Sequence, residues 1–301
     1  MATKLPQKIS VSYYRTMLKQ IRLMEKLMQK AFKERIEPLL LKFDFELQKE
    51  AEIELRTNAL ILGSLSQRLK QLHEATLTQL TGEFASLSLE VQQLFNRELS
   101  RGIATKFVNK VNLTDKINTI QTISRVGGAQ ARTKIKAIQA LQDTGIQSIV
   151  KSSVDRNVNL IQSIPQQYLQ RIKETVYDGL EKGTGTKAIG KQISDIGGVT
   201  ERRGQFIARD QLASTYGDLT KKRQQNLGIK RFRWLTSHDE RVRDTHAVLD
   251  GMIFDWDVGA SGPGVPSEMI GLKPGEDYNC RCTSSMIKED ILEALDRLSD
   301  N

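Results

Sequence analysis

The spacing of apolar residues near the start of the chain constrains its fold more than any other feature. Tyr14, Met17, Ile21, Met24, Met28 and Ala31 recur at alternating intervals of three and four, the seam of a helix packed against another helix. Lys19, Arg22, Lys26, Lys30 and Lys33 decorate its other faces. The methionines read as core packing, since an unbranched thioether fills irregular gaps between helices. Pro38 interrupts or kinks the pattern, because proline has no amide proton and its ring clashes with the preceding turn. A second helical stretch follows through Leu55 or beyond, and a third covers about Leu65 to Leu99. Aromatic residues make up only 6% of the chain; with abundant Leu, Ile, Gln, Lys and Glu, that favours helices over sheets.

Glycines punctuate the rest. Gly127-Gly128 marks a break, and the helix read from Ala129 to Leu141 is closed by Asp143-Thr144-Gly145. After Pro165 the texture changes. A helix through Tyr168, Ile172, Val176 and Leu180 ends among Gly179, Gly183 and Gly185, and a short one from Lys187 to Ile196 stops at Gly197-Gly198. Another opens at Thr200 and runs towards Leu227, with Gly228 placed as its cap. Strand-like sequence follows only then. Lys230 to Leu235 alternates basic and apolar residues, and Met252 to Trp256 and Thr283 to Ile287 are weaker strand candidates. The expected fold is mainly α: a long N-terminal helical arm or bundle with a basic middle over residues 1–164, then a small α+β C-terminal module over residues 165–301.

The net charge of +9 is uneven: residues 101–200 carry 15 basic against 7 acidic side chains, whereas residues 201–301 carry 15 against 17. From Arg101 to Lys136 the basic residues are Arg101, Lys106, Lys110, Lys116, Arg125, Arg132, Lys134 and Lys136, with Asp115 the one acid among them. Such a block attracts double-stranded DNA without regard to sequence, because each neutralised phosphate releases condensed counterions. A solvated helix face, or a face matching an acidic protein, would carry the same charges. The start, Met-Ala-Thr-Lys-Leu-Pro-Gln-Lys, leads into an amphipathic stretch and not an apolar export segment, and no apolar run of membrane-spanning length occurs. Synthesis and early folding are therefore expected in the cytoplasm, where thiols start out reduced.

The only two cysteines, Cys280 and Cys282, form a Cys-x-Cys pair, and two of the three histidines, His238 and His246, lie in the same last third. Zinc takes four ligands, commonly Cys and His. His246, Cys280 and Cys282 are the candidate structural zinc ligands, with His238, Asp239, Asp277 or water as the fourth. Buried reduced thiols are the alternative, while a Cys-x-Cys disulfide closes a very small, strained ring. Asp239 to His246 resembles the first turns of a helix, with Asp239 and Glu240 suited to its N-terminus; Arg241, Arg243 and Asp244 read as charges pairing with one another. A metal-dependent nuclease site would draw on Asp239, His246 and Asp250, and a nucleophilic thiol on a cysteine beside His246. The loop from Gly259 to Tyr278 is crowded with glycine and proline, and a loop of that length in a compact module needs a clamp. The Cys-x-Cys at its end is placed to supply one.

Together these residues resemble the phage Mu protein F-like minor head proteins, a family that includes the SPP1-type head morphogenesis proteins. The resemblance covers roughly residues 165–287. It runs from the glycine-punctuated helices through Arg202-Arg203-Gly204-Gln205-Phe206-Ile207-Ala208-Arg209-Asp210 to Trp234, Asp239, Arg241, Arg243, His246, Asp250, Gly251 and Asn279-Cys280-Arg281-Cys282. Asp277 stands where family members often carry a histidine. The resemblance implies a few-copy structural component of a tailed-phage head, at the portal vertex or in the capsid interior. Such proteins act in head assembly and in genome packaging or delivery. The implied partners are the portal protein, capsid or scaffold proteins and packaged DNA, with no membrane involved during assembly. The implied location is the virion, after assembly in the host cytoplasm, and no catalytic residue is implied. Two other readings stand beside it: a nuclease or transferase-like effector enzyme in the C-terminal module, and a helical scaffold that binds only protein.

Overall fold

The computed structural model describes residues 5–56 and 62–298; the opening Met1 to Lys4, read above for export signals, lies outside them. Seven longer helices come first: α1 (Gln7–Ala31), α2 (Glu37–Arg56), α3 (Leu62–Leu94), α4 (Arg97–Thr133), α5 (Ile135–Gln142), α6 (Ile146–Glu181) and α7 (Thr186–Asn226). Then come β1 (Arg231–Leu235), the single turn α8 (Asp244–Ala247), β2 (Ile253–Asp255), β3 (Thr283–Met286) and α9 (Lys288–Arg297). The fold is mainly helical with a small sheet near its C-terminal end, as the sequence indicates. Among the described residues no helix is long and apolar enough to cross a membrane.

The chain divides into two compact units that are not consecutive in sequence. One comprises Met17–Ser100 and Leu160–Gly204; the other comprises Met1–Thr16, Arg101–Asn159 and Gln205–Asn301. The sequence reading drew one boundary at residue 164, but compactness gathers the chain from both sides of it. Helices α1, α4, α6 and α7 each contribute to both units.

In the first unit the α1 seam is buried through Met17, Ile21, Met24, Met28 and Ala31. Towards the N-terminus the seam continues through Tyr13, which is buried, whereas Tyr14 is only partly covered; a four-residue step from Met17 keeps to the same stripe. The break expected at Pro38 is a π-helical turn, Phe32–Ile36, in which the Glu37 amide donates to Phe32 O. The wider turn lies directly ahead of the ring of Pro38, which a regular helix accommodates poorly. Two expected stops do not occur. Helix α6 runs through Pro165, and α7 runs through Gly197-Gly198. At Gly197 an added Cβ would stand 3.0 Å from Glu25 Oε1, so this glycine serves close packing and not termination.

In the second unit α4 kinks at Gly128, whose φ of 53° and ψ of −122° suit only glycine. The helix read as one piece from Ala129 is broken again before α5. Asp115, the single acid of the basic stretch, ties α4 to α7: its carboxylate accepts from Arg223 and from Thr220 Oγ1, the latter at 2.6 Å. Arg223 is fully buried and also donates to Asn112. Burial is the main cause raising the Asp115 pKa, opposed by Arg223.

The sheet is antiparallel in the order β2-β1-β3. Phe232 faces Phe254 on one side and Met286 on the other, and Trp234 faces Ser284. The strand alternation holds: Arg231 and Arg233 point to solvent, while Phe232 and Trp234 enter a core with Leu249, Phe254, Trp256, Met269, Cys280 and Cys282. The loop before β3 seats on α7 at two glycines. A Cβ on Gly217 would meet Pro274 O at 2.6 Å, and one on Gly275 would meet Ala213 O at 2.5 Å. That seating sets where the cysteines arrive.

Candidate metal centre

Antiparallel pairing places Leu235 opposite Thr283, so the Cys-x-Cys segment preceding β3 runs alongside the residues that leave β1. From the other side α8, with Arg243 as its N-cap, brings in His246. The helix read from Asp239 is shorter than expected, and Asp239 is not at its start. The Asp239 carboxylate instead takes both ends of the Arg281 guanidinium, the pair with Arg281 Nη2 at 2.6 Å. This geometry is the first cause lowering the Asp239 pKa.

His246 is 2% exposed. Its Nδ1 lies 3.4 Å from Cys282 Sγ and 3.6 Å from Cys280 Sγ, and its Nε2 lies 2.8 Å from Asp277 Oδ2. The Cys282 amide donates to Cys280 Sγ at 3.3 Å. Both thiols are buried and free, so no disulfide closes the loop. Cys282 and then His246 hold the Cys280 pKa well below the thiol range against burial, while proton sharing with Cys280 and burial push that of Cys282 upward. The Cys280 sulfur is the first cause raising the His246 pKa above the usual imidazole value. Burial would raise the Asp277 pKa, but His246, the Tyr278 amide and Arg243 outweigh it and the net shift is downward.

These distances suit a metal. Zinc–sulfur and zinc–nitrogen bonds of about 2.3 and 2.0 Å at a tetrahedral angle set the ligand atoms about 3.5 Å apart. Among the described residues His246, Cys280 and Cys282 form the one His/Cys/Asp/Glu group with such mutual approach, their ligand atoms lying within 4.8 Å of one another. Asp277, a candidate fourth ligand in the sequence, bonds the far nitrogen of His246. That is the place of the outer carboxylate that orients a ligating histidine. His238 is not drawn in: it is exposed, with a φ of 53°, and its Nε2 lies 3.6 Å from Asp250.

The other motif residues frame this group. Asp250 accepts from the Thr236 amide at 2.7 Å and its hydroxyl at 3.1 Å, and the Gly251 amide donates to Trp234 O at 2.8 Å. Arg243 donates to Tyr278 O at 2.7 Å and pairs with Asp277 at 3.0 Å. Arg241 stays exposed beside Glu240. Asn279, at a φ of 51°, donates its amide to Asp210 Oδ1 at 2.8 Å. Asp239, His246 and Asp250, weighed above as a nuclease set, thus hold three separate groups of partners. Sequence reasoning named Phe206 and Asp210 within the Arg202 to Asp210 motif but missed their partners, the Asn279 amide and the stacked Tyr278 ring, 4.4 Å between centroids, and it missed Ser237.

The candidate DNA-contact residues lie apart from this group, in the same unit. Arg101 pairs with Asp155 at 2.9 Å, Lys116 with Asp143, and Lys134 donates to Leu295 O. Lys106, Lys110, Arg125, Arg132 and Lys136 have exposed side chains.

Residues 170–285 match the family model described as "Phage Mu protein F like protein", which spans β1, α8 and all three candidate ligands. This segment belongs to the phage Mu protein F-like family. Among its relatives, an uncharacterized protein of Haemophilus influenzae is 40% identical over 126 residues, 42% of this chain and 26% of that protein. The NAD(+)--arginine ADP-ribosyltransferase EFV of Enterococcus faecalis is 28% identical over 138 residues, 42% of this chain and 27% of its own length. An uncharacterized protein of Methanocaldococcus jannaschii is 32% identical over 128 residues, 19% of its length. The chain thus spans about a fifth to a quarter of the curated relatives it matches. No solved structure matches it significantly.

Proposed function

We propose that the chain is a structural minor head protein of a tailed phage, acting at the portal vertex or inside the capsid during head assembly and genome packaging or delivery. The observation that carries this reading is the Mu F-like match over residues 170–285, whose segment contains the buried His246–Cys280–Cys282 group. In this reading the group is a zinc clasp: His246 and the two thiolates hold the metal, Asp277 orients His246, and the glycine-rich loop is fastened to α8. Zinc there supplies folding energy and not catalysis. A chelator is expected to lower the Tm of the wild-type chain and to leave His246→Ala unchanged.

The assembly role is tested by expressing the full chain with the portal and coat proteins of its own phage. It should co-purify with heads and resist added protease; heads assembled without it would refute the role. Exposed Lys106, Lys110, Arg132 and Lys136 support sequence-independent DNA contact. Such binding weakens with a log–log salt slope of about 0.9 per phosphate contacted. Replacing Lys106 and Lys110 by Ala should therefore reduce the slope by roughly 2, and binding indifferent to salt would exclude this contact.

The Enterococcus relative favours a second reading, in which this chain also transfers ADP-ribose to arginine. The shared 138 residues are 27% of that protein, leaving room for its named activity outside the shared segment. Incubation with labelled NAD+ and an arginine-bearing acceptor separates the readings, since transferred label would establish the enzyme.

A further inference from the structure

Two buried donors beside the sulfurs make no well-formed hydrogen bond. Ser237 Oγ and Trp234 Nε1 are both shut off from solvent without a hydrogen-bond partner. Ser237 lines a cavity of about 20 Å³ together with His246, Cys280 and Cys282. Trp234 shares an apolar core with both cysteines, and its ring meets that of His246 edge-on, 6.1 Å between centroids. A buried donor left unpaired costs the full desolvation of that group. Two such donors in one small region are satisfied if the neighbouring sulfurs become charged acceptors. A neutral thiol is a poor acceptor. A thiolate carries full charge, and hydrogen bonds to charged acceptors are the strong ones.

We propose that Ser237 and Trp234 are the outer hydrogen-bonding shell of a metal-bound thiolate pair, the hydroxyl and the indole N–H each donating to sulfur once the metal is held. The proposal rests on the zinc reading above and adds two positioning residues to it. Neither touches the metal: each offsets charge on a ligand and fixes the direction of its lone pairs, the work that outer partners do at histidine ligands. The two donors sit at the end of β1 and just beyond it, so the strand that builds the core also equips the site.

The test uses the full-length chain as wild type, Ser237→Ala, Ser237→Thr and Trp234→Phe. Zinc affinity is measured by competition with a chromophoric chelator, Co2+ binding by its thiolate charge-transfer band, and Tm in chelator. Losing an outer partner costs about 10- to 100-fold in metal affinity, so Ser237→Ala and Trp234→Phe should each weaken zinc binding at least 10-fold. Ser237→Thr, which keeps the hydroxyl, should bind within a few-fold of wild type. In chelator, Ser237→Ala should melt at or above the wild-type temperature, because the unpaired hydroxyl is gone. Wild-type binding retained by both hydroxyl- and indole-free variants would overturn the proposal. So would an equal loss of Tm by Ser237→Ala with and without metal, which would mark a packing role. If wild type itself binds neither Zn2+ nor Co2+, the zinc reading beneath the proposal fails instead.

Discussion

Replacing Asp115 by Ala tests whether the basic helix is anchored by its single acid. Asp115 is buried against Arg223, whose side chain is 0% exposed, and it also accepts from Thr220 at 2.6 Å. Removing the carboxylate leaves an arginine in the interior whose remaining partners are Asn112 and, at 3.8 Å, the half-exposed Asp143. Breaking a buried pair from one side costs about 3–5 kcal/mol, because the survivor is an uncompensated charge. Those residual partners set the expectation at about 3 kcal/mol. The double variant Asp115→Ala with Arg223→Met removes the stranded charge and should recover about 2 kcal/mol of that loss, since apolar replacements of buried pairs are often neutral. The assay is urea unfolding followed by tryptophan fluorescence. The chain has two tryptophans, Trp234 and Trp256, both in the unit that contains Asp115 and Arg223, so the signal reports that unit. Unchanged m-values keep the comparison one of stability. A single-variant loss below about 1 kcal/mol, or a double variant as unstable as the sum of the singles, would refute the anchoring argument.

Two further predictions concern the packing that positions the elements. Glu25 lies against Gly197 with a buried, unpaired Oε1, and burial, then Glu201, raises its pKa. A raised carboxyl contributes stability that is full below its unfolded value of about 4.3 and is lost as pH rises through the folded value. Glu25→Gln should thus raise Tm at pH 7 and flatten the loss of stability between acid and neutral pH; a lower Tm at pH 7 would contradict this. Gly275, with a φ of 93° and Ala213 O at 2.5 Å from a built Cβ, should lose more than about 1 kcal/mol as Ala. A near-native urea midpoint for Gly275→Ala would show that the loop is not seated as described.

Local signals in the sequence carried far where one physical rule governed them. The three- and four-residue spacing of the methionines gave α1, alternation gave β1, and Gly228 marked the end of α7. Failures arose where long-range packing overrode the local rule. Gly197-Gly198 reads as a stop, yet the approach of Glu25 makes the missing side chain of Gly197 an asset inside a helix. Pro165 reads as a boundary and lies within α6. At the candidate site, the scarcity of cysteine and histidine marked the residues that come together, His246, Cys280 and Cys282, because soft side chains that are rare along the chain converge on one segment. The role of Asp277 was hidden, since a sequence does not tell which ring nitrogen of His246 a carboxylate will meet. Ser237 and Trp234 were equally hidden as donors, for their significance lies in the lack of a partner.

The interleaving of the two units sets a timetable for biosynthesis. Arg101–Asn159 is completed only by Gln205–Asn301: Asp115 waits for Arg223, and Gln130 waits for Asp296, 166 positions later. At roughly 5–20 residues per second of translation, the parts of α4 and α5 that pack on α7 and α9 stand uncovered for roughly 5–30 seconds. The arginine that pairs with Asp115 and the helix that covers Gly127 arrive late. A nascent chain of this design exposes those faces before their partners are made, and truncation within α9 is expected to raise the sensitivity of α4 and α5 to protease.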